Sequence, residues 1–375
     1  QINYLIEKMK QKKVLNTKKK VDSNNIKKTT TIKPSPEVYK YTSLVLYTLL
    51  GLFVLTLIVY FPSFKNDFVG WDDEGYIHEI KDIYLNDLSW NGIKKIFSNF
   101  IMANYHPLTI LIYAIEYNMF GIDSGIPYHY LNVILHLINV LLVFIFIYRL
   151  SEKYIVGLVV ALLFAVHPLH VESVSWISEL KDVLYSFFYL LGLNVYMKYY
   201  YNGRKKKRYL YYVILLFILS CLSKGMAVTF SVILLLIDYL KEKKITSSMI
   251  IEKIPFFIIS LIFGYLAIKA QQSEEGIYNI SAYTIGDRIT FPFYSYMFYI
   301  FKMFFPVNLS VIYSYPLKPD GHIPIKYYLS VVGFIILVAL VYWSLRKTKK
   351  VMFGFLFYSA CISIVIQLLP VGINI

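Results

Sequence analysis

From residue 41 onward the chain reads as eleven apolar runs with polar breaks between them, near 41–61, 105–120, 127–148, 154–168, 183–200, 209–222, 226–240, 254–270, 289–305, 326–345 and 351–370. A helix needs about 20 residues to cross hydrocarbon, with a range of roughly 17–25, so the shorter runs are decided by what flanks them. The basic residues do the sorting. If 105–120 and 289–305 lie in the membrane interface, nine spans remain. Arg149, Lys153, Lys198, the run Arg204-Lys205-Lys206-Lys207-Arg208, Lys241, Lys243, Lys244, Lys253, Arg346, Lys347, Lys349 and Lys350 then fall on one side. Loops rich in Lys and Arg stay in the cytoplasm, so this side is read as cytoplasmic and the acid-rich side as outer.

The two excluded runs have interfacial chemistry of their own. His106, Thr109, Tyr113 and Glu116 recur at steps of three and four, opposite Leu108, Ile112 and Ile115, which predicts a helix lying flat with a polar stripe toward water. Residues 289–305 are bracketed by Pro292 and Pro306. They carry Phe291, Phe293, Tyr294, Tyr296, Phe298, Tyr299, Phe301, Phe304 and Phe305, an aromatic density typical of the headgroup zone; a tilted or re-entrant helix is the alternative. Residues 1–40 hold eleven lysines without periodicity and are read as a disordered basic cytoplasmic tail. The rest, 41–375, is read as one transmembrane domain. The start at Gln1 and the stop at Ile375 just past an apolar run imply further sequence, above all at the C-terminus.

Composition agrees with this all-α polytopic reading of about nine transmembrane helices plus interfacial helices. With 57% hydrophobic and only 16% charged residues, a single soluble globule is excluded. Cys221 and Cys361 both sit in apolar runs without metal-type spacing, so they are read as packing residues.

Polar residues converge on the predicted outer face. The loop 62–126 supplies Asp67, Asp72, Asp73, Glu74 and His106; a second, 169–182, supplies Glu172, Glu179, Lys181 and Asp182; Lys224-Gly225 follows, and 271–325 adds Glu274, Glu275, Asp287, Arg288 and Lys302. As one helix, the second loop would set 172, 175, 179 and 182 on a single carboxylate-lined face. His167 and His170 beside Glu172 could in principle ligate a metal, but such histidines more often cap a span. Asn132 and Asn139, seven residues apart, predict a polar seam between helices, with His129 and His136 as packing residues on the same span. Asp238, near the cytoplasmic end of its span, is expected to be neutralised by Lys241.

Several segments carry a likeness. Phe68-Val-Gly-Trp71-Asp72-Asp73-Glu74-Gly-Tyr76, Asn104-Tyr-His106-Pro107-Leu108-Thr109, Tyr128-His129-Tyr-Leu131-Asn132, His167-Pro168-Leu169-His170-Val171-Glu172, Ser178-Glu179-Leu180-Lys181-Asp182 and Ser223-Lys224-Gly225-Met226 follow one another in order. In this the chain resembles the bacterial multispanning proteins that carry tetratricopeptide repeats and the related protein O-mannosyltransferases, from about Phe61 to the chain end. Gly225 stands where related chains usually have proline, and no such repeats follow within the chain.

The resemblance implies a GT-C-like fold and a glycosyltransferase that takes its sugar from a polyprenyl-phosphate donor at an outward site built from the first two outer loops. It carries the catalytic carboxylate to Asp72 and Asp73 and the second acidic motif to Lys181-Asp182, with Glu172 as a further candidate. Asp72 or Asp73 would be general base, and Lys181, Lys224 and Arg288 would contact phosphate. Asp182, Glu172 and Glu179 would orient sugar hydroxyls, with Glu74 and His106 also lining the substrate. A divalent metal is an open alternative, with Asp182 and Glu172 as its ligands. The partners implied are the lipid-linked donor, a protein or glycan acceptor and membrane lipid, and no nucleic acid. A bacterial inner membrane is favoured, with the endoplasmic reticulum for a eukaryotic source. A noncatalytic scaffold and a lipid-linked sugar translocase are the competing readings.

Overall fold

The computed structural model describes residues 42–242, 244–273, 283–318 and 321–366, so the tail over 1–40, Glu274, Glu275 and the end of the last apolar run lie outside it. The chain divides into two compact units at Gly51, and the first enters the described residues only as the opening of α1 (Thr42–Tyr60). In the second unit follow α2 (Trp90–Ser98), α3 (Pro107–Phe120), α4 (Ile126–Ser151), α5 (Tyr154–Val166), α6 (Val171–Ser175), α7 (Leu180–Tyr201), α8 (Arg208–Ser223), α9 (Phe230–Lys241), α10 (Ser247–Ile251), α11 (Ile254–Ser273), α12 (Ile285–Phe304), α13 (Ile325–Ser344) and α14 (Lys349–Ile362). Extended backbone pairs at the isolated bridge of Ile101 with Asn104.

The surface is apolar where a soluble protein would be charged. On α11, Leu261 is 74% exposed and Ile258 and Ile262 about half exposed, and α13 shows Ile335 and Ile336 in the same way. Faces of this size are aggregation hazards in water and at home in hydrocarbon. Among the described residues four stretches are long and apolar enough to cross a membrane: Ser43–Lys65, Ile126–Ser151, Ser247–Ser273 and Ile325–Ser344. A fifth arises if Tyr154–Val166 and Pro168–Ser175, bent by 54°, form one broken span. The bend has a local cause: Pro168 cannot continue the hydrogen-bond ladder and holds His167 extended, at φ −68° and ψ 129°. The expected count of nine goes beyond these stretches. The helix α7 carries Lys181, Asp182 and Lys198, while α8, α9 and α14 have 16, 12 and 14 residues.

Helix packing follows membrane rules. Gly157, Ala161 and Ala165 form a small-residue stripe on α5, and a Cβ at Gly157 would meet Tyr148 and Phe144 of α4 at 3.1–3.3 Å, so the two backbones lie close. The predicted seam on α4 is present: Asn132 Nδ2 donates to Trp176 O at 2.8 Å and Asn139 Nδ2 to Val183 O at 2.9 Å, while Asn194 of α7 returns a bond to Leu142 O at 3.0 Å. Cys221 is buried in the packing between these helices, as read from its apolar surroundings.

Two expectations are corrected and one is given its packing. The polar stripe of α3 does not face water: Thr109, Tyr113 and Glu116 are buried, and Ile115, Met119 and Phe120 are exposed. In a bilayer the polar partner of a helix is the protein interior, so the stripe turns inward. Along α12, Phe291 and Tyr294 pack on Tyr327 and Phe293 and Tyr296 on Phe334, so α12 and α13 run in the same direction, while Phe301, Phe304 and Phe305 toward its end are exposed. Asp238 is neutralised by Arg204 Nη2 at 2.6 Å and Lys253 Nζ at 2.9 Å; Lys241, the last residue of α9, reaches instead to Glu152 at 2.7 Å.

Candidate functional site

The region between α1 and α4 is folded around its acidic residues. Asp67 Oδ1 accepts the backbone N–H groups of Phe68 at 2.9 Å and Gly125 at 2.6 Å, tying the start of the region to the start of α4. A Cβ at Gly125 would lie 2.9 Å from that same oxygen and 2.7 Å from Phe68 N, so the tie needs glycine there. Asp72 and Asp73 lead into a π-helical turn, Glu74–His78, with Asp72 half-buried and Asp73 buried.

Those two carboxylates have separate surroundings. Asp73 is fully buried; its Oδ2 accepts Val69 N–H at 2.9 Å and its Oδ1 accepts Ser178 N–H at 2.8 Å, joining the first acidic region to the second. Burial raises its proton affinity, and the two backbone donors pull the other way. Asp72 keeps 40% of its side chain exposed, with Oδ2 3.3 Å from Lys181 Nζ. Glu74 is exposed and takes no part in these contacts.

From Asp72 an alternating row of charges runs across three segments of the chain. Lys181 Nζ lies 3.3 Å from Asp72 and 2.9 Å from Glu179, Lys224 Nζ is 3.6 Å from Glu179, and Lys224 pairs directly with Asp182. Ser173 Oγ donates to the other oxygen of Asp182 at 3.0 Å. Burial pushes the Glu179 carboxyl upward, but Lys224 and Lys181 on its two sides more than reverse this and hold it at about 2. Burial alone would lower Lys224; Asp182 and Glu179 overcome it and keep the ammonium well above its ordinary range. Three carboxylates against two ammonium groups leave the row with one negative charge in excess.

The buried stripe of α3 braces this row. Thr109 Oγ1 donates to Ser223 O at 2.9 Å, one residue before Lys224, and Tyr113 OH donates to Ile177 O at 3.1 Å, two residues before Glu179. Tyr76 supports it from below, its ring 4.9 Å from Lys181 Nζ and its hydroxyl accepting from Asn104 Nδ2 at 3.2 Å. Sequence reasoning gave no role to Tyr76 and read Thr109 and Tyr113 only as a water-facing stripe; the signal for Tyr76 was its place four residues after Asp72, one helical turn away.

His106 is buried against Tyr76, at 5.1 Å between ring centres, with no partner for Nε2 among the described residues. Burial, with Lys181 and Lys224 nearby, lowers its pKa from 6.5 to about 3. Between those values the unfolded chain binds a proton that the native state refuses, so stability falls as pH drops through this window, at about 1.4 kcal/mol per pH unit. His106→Phe should remove that part of the slope in thermal unfolding between pH 7 and pH 5. A variant with the wild-type slope would show that His106 is not its source.

Other predicted residues are placed differently. The single face over 172–182 is broken at Trp176, which is extended at φ −103° and ψ 128°; Glu172 is exposed on α6, and Ser175 turns to Ser63, their Oγ atoms 2.7 Å apart. Arg288 does not join the row. Its Nε donates to Tyr283 O at 3.0 Å at the start of α12, while that helix approaches the second acidic region near its other end, where Met303 O meets His167 Nε2 at 2.9 Å. No group of three metal-ligating side chains is assembled among the described residues, and His167 has both ring nitrogens engaged, Nδ1 accepting from Leu169 N–H at 3.2 Å. Of the two candidate ligands, Asp182 has both oxygens engaged, by Lys224 and Ser173, and Glu172 stands exposed.

Comparison with known proteins finds relatives over part of the chain. The chain is 30% identical over 165 residues to the human Protein O-mannosyl-transferase TMTC4, covering 38% of this chain and 22% of that protein. It is 33% identical over 154 residues to the protein O-mannosyl-transferase tmtc2 of Xenopus laevis, covering 39% and 18%, and 25% identical over 292 residues to a protein O-mannosyl-transferase of Caenorhabditis elegans, covering 71% and 39%. The chain thus spans between 18% and 39% of the length of these relatives. No family model and no solved structure matches it. Over these stretches the chain resembles the protein O-mannosyl-transferases, in agreement with the likeness carried by its motifs.

Proposed function

We propose that the chain forms the catalytic part of a membrane glycosyltransferase that moves a sugar, mannose by the names of its relatives, from a polyprenyl-phosphate donor to a hydroxyl of a protein acceptor. The site would face away from the lysine-rich loops. The observation that carries this is the row Asp72, Lys181, Glu179, Lys224, Asp182, in which one partly exposed carboxylate ends a series of fixed cations.

A sugar on a lipid phosphate is already activated. The acceptor O–H bond breaks with its proton passing to Asp72, the acceptor oxygen bonds to the anomeric carbon, and the bond from that carbon to the phosphate oxygen breaks with its electron pair. Lys181 and Lys224 meet the charge of the departing polyprenyl phosphate, being held protonated by their carboxylates and fixed before the reaction begins. Lys181 is shared between Asp72 and Glu179, so a phosphate drawn to it loosens its hold on Asp72 and frees that carboxylate as base. Exposed apolar helix faces beside the site suit the lipid tail, worth about 0.8 kcal/mol per buried CH₂.

The test is transfer of labelled mannose from a polyprenyl-phosphate donor to a serine- and threonine-containing peptide by the protein purified into nanodiscs. Labelled peptide is the expected product. Movement of the intact donor across the bilayer without transfer would replace this reading with a translocase, and neither activity would leave a scaffold. A Lys224→Gln variant should raise the donor KM by about tenfold, the loss of one charge-assisted contact.

A further inference from the structure

Between α7 and α8 the chain turns through Gly203 and Arg204, both in the left-handed region at φ +64° and +60°. The turn divides a run of five basic residues. Arg204 goes inward, where Asp238 lies 2.6 Å from its Nη2, Glu252 3.2 Å from its Nη1 and Glu242 3.7 Å from its Nε. Lys205, Lys206, Lys207 and Arg208 stay exposed, and among the described residues none of the four lies within ion-pair distance of a carboxylate. Arg208 and Lys198 flank the Tyr209 ring, 5.6 and 5.2 Å from its centre, so a fifth cation borders the quartet. Adjacent like charges on a fixed turn make a field that draws an anionic surface.

What covers this face is written along α8. Arg208, Tyr211, Tyr212 and Leu215 fall at steps of three, four and seven residues and share one side of the helix. Tyr211 is 71% exposed, and Tyr212 and Leu215 are each 54% exposed. Over about 10 Å of helix rise that side passes from cation to phenol to hydrocarbon, the order in which a leaflet passes from phosphate through its interface to acyl chains. A soluble acidic protein or a nucleic acid would meet the cations and leave the aromatic and apolar steps in water.

We propose that the α7–α8 loop is a binding face for anionic phospholipid headgroups, with Lys205, Lys206, Lys207 and Arg208 on the lipid phosphates and Tyr211 and Tyr212 seated at the interface below them. The face discriminates by net charge. A zwitterionic headgroup offers the same phosphate but carries its own ammonium, which the quartet repels, whereas a headgroup with net negative charge meets no such opposition. This binding is separate from sugar transfer and does not rest on it.

Spin-labelled phosphatidylglycerol and phosphatidylcholine, added in turn to the full chain in phosphatidylcholine vesicles, measure which headgroup the protein retains. The wild type should favour phosphatidylglycerol by about fivefold or more. Lys205→Gln, Lys206→Gln, Lys207→Gln and Arg208→Gln made together should remove most of that preference. The same number of charges taken from Arg346, Lys347, Lys349 and Lys350 should leave it within about twofold. Raising the salt from about 0.1 M to about 1 M, which shortens the Debye length from about 10 to about 3 Å, should weaken the wild-type preference, and this arm needs no variant. An indifferent wild type, equal losses in the two variants or a preference unmoved by salt would each overturn the proposal. A quartet variant that melts well below the wild type in phosphatidylcholine would assign these side chains to the fold instead, since exposed charges without partners should change stability little. Displacement of the labelled lipid by millimolar glycerol phosphate would make the face a site for free anions and would likewise reject a leaflet contact.

Discussion

Asp72→Asn is expected to lower kcat for sugar transfer by about 10²–10⁴-fold, the range of a well-placed general base, with little change in substrate KM or melting temperature. Asn keeps the shape and can still hydrogen-bond, so what is lost is the ability to take the proton. The neighbouring substitution should behave in the opposite way. Asp73 uses one oxygen for Val69 N–H and the other for Ser178 N–H, and an amide has only one acceptor oxygen. Asp73→Asn therefore leaves a buried backbone donor unpaired, at about 1–3 kcal/mol, and should show as a lower melting temperature with activity lost through the tie between the two acidic regions. Transfer kinetics beside thermal unfolding for both variants checks the division. Normal transfer by Asp72→Asn, with abolished transfer and an unchanged melting temperature for Asp73→Asn, would reverse the two roles.

That division marks the limit of what the residues alone could convey. Three acids in succession after a span announce a site, but which one faces solvent depends on whether the chain turns before or after them. Here the turn is made by Trp71 and a π-helical segment, neither of which has a local signature. Helical class and the asparagine seam were legible because both depend on periodicity within one helix. The facing of α3 was not, since a polar stripe points to whatever can hydrogen-bond with it. Water was the assumed partner, whereas Ser223 O and Ile177 O are the real ones. Arg288 shows the same dependence on long-range structure. Its chemistry fits a phosphate contact, yet its position at the start of α12 keeps it with Tyr283. The expected crossing count of nine outruns the stretches of spanning length among the described residues, because α7 mixes its charged ends with an apolar middle and α8, α9 and α14 fall below the usual spanning length.

Removing Asp238 should cost more stability than any change at the site, about 3–5 kcal/mol, because it strips the counter-charge from cations that cannot reach water. Asp238 and Lys253 are both fully buried, and Arg204 is 15% exposed. Oδ1 of Asp238 accepts from Tyr196 OH and Arg204 Nη2, each at 2.6 Å, and Oδ2 lies 2.9 Å from Lys253 Nζ. In Asp238→Ala, Arg204 keeps Glu252 at 3.2 Å and Glu242 at 3.7 Å, but among the described residues the fully buried Lys253 keeps only Glu252, at 3.6 Å and shared with Arg204. The cluster joins the segment after α7, the end of α9 and the start of α11, so its loss should loosen all three together. Melting of the detergent-solubilised protein measures the cost, and Asp238→Leu combined with Lys253→Met should recover much of it, since an apolar pair of similar volume needs no desolvation. An Asp238→Ala protein that melts with the wild type would mean that the cluster is hydrated enough for water to replace the carboxylate. The double variant would then be the less stable of the two, because it alone would lose a solvated pair and gain nothing in packing.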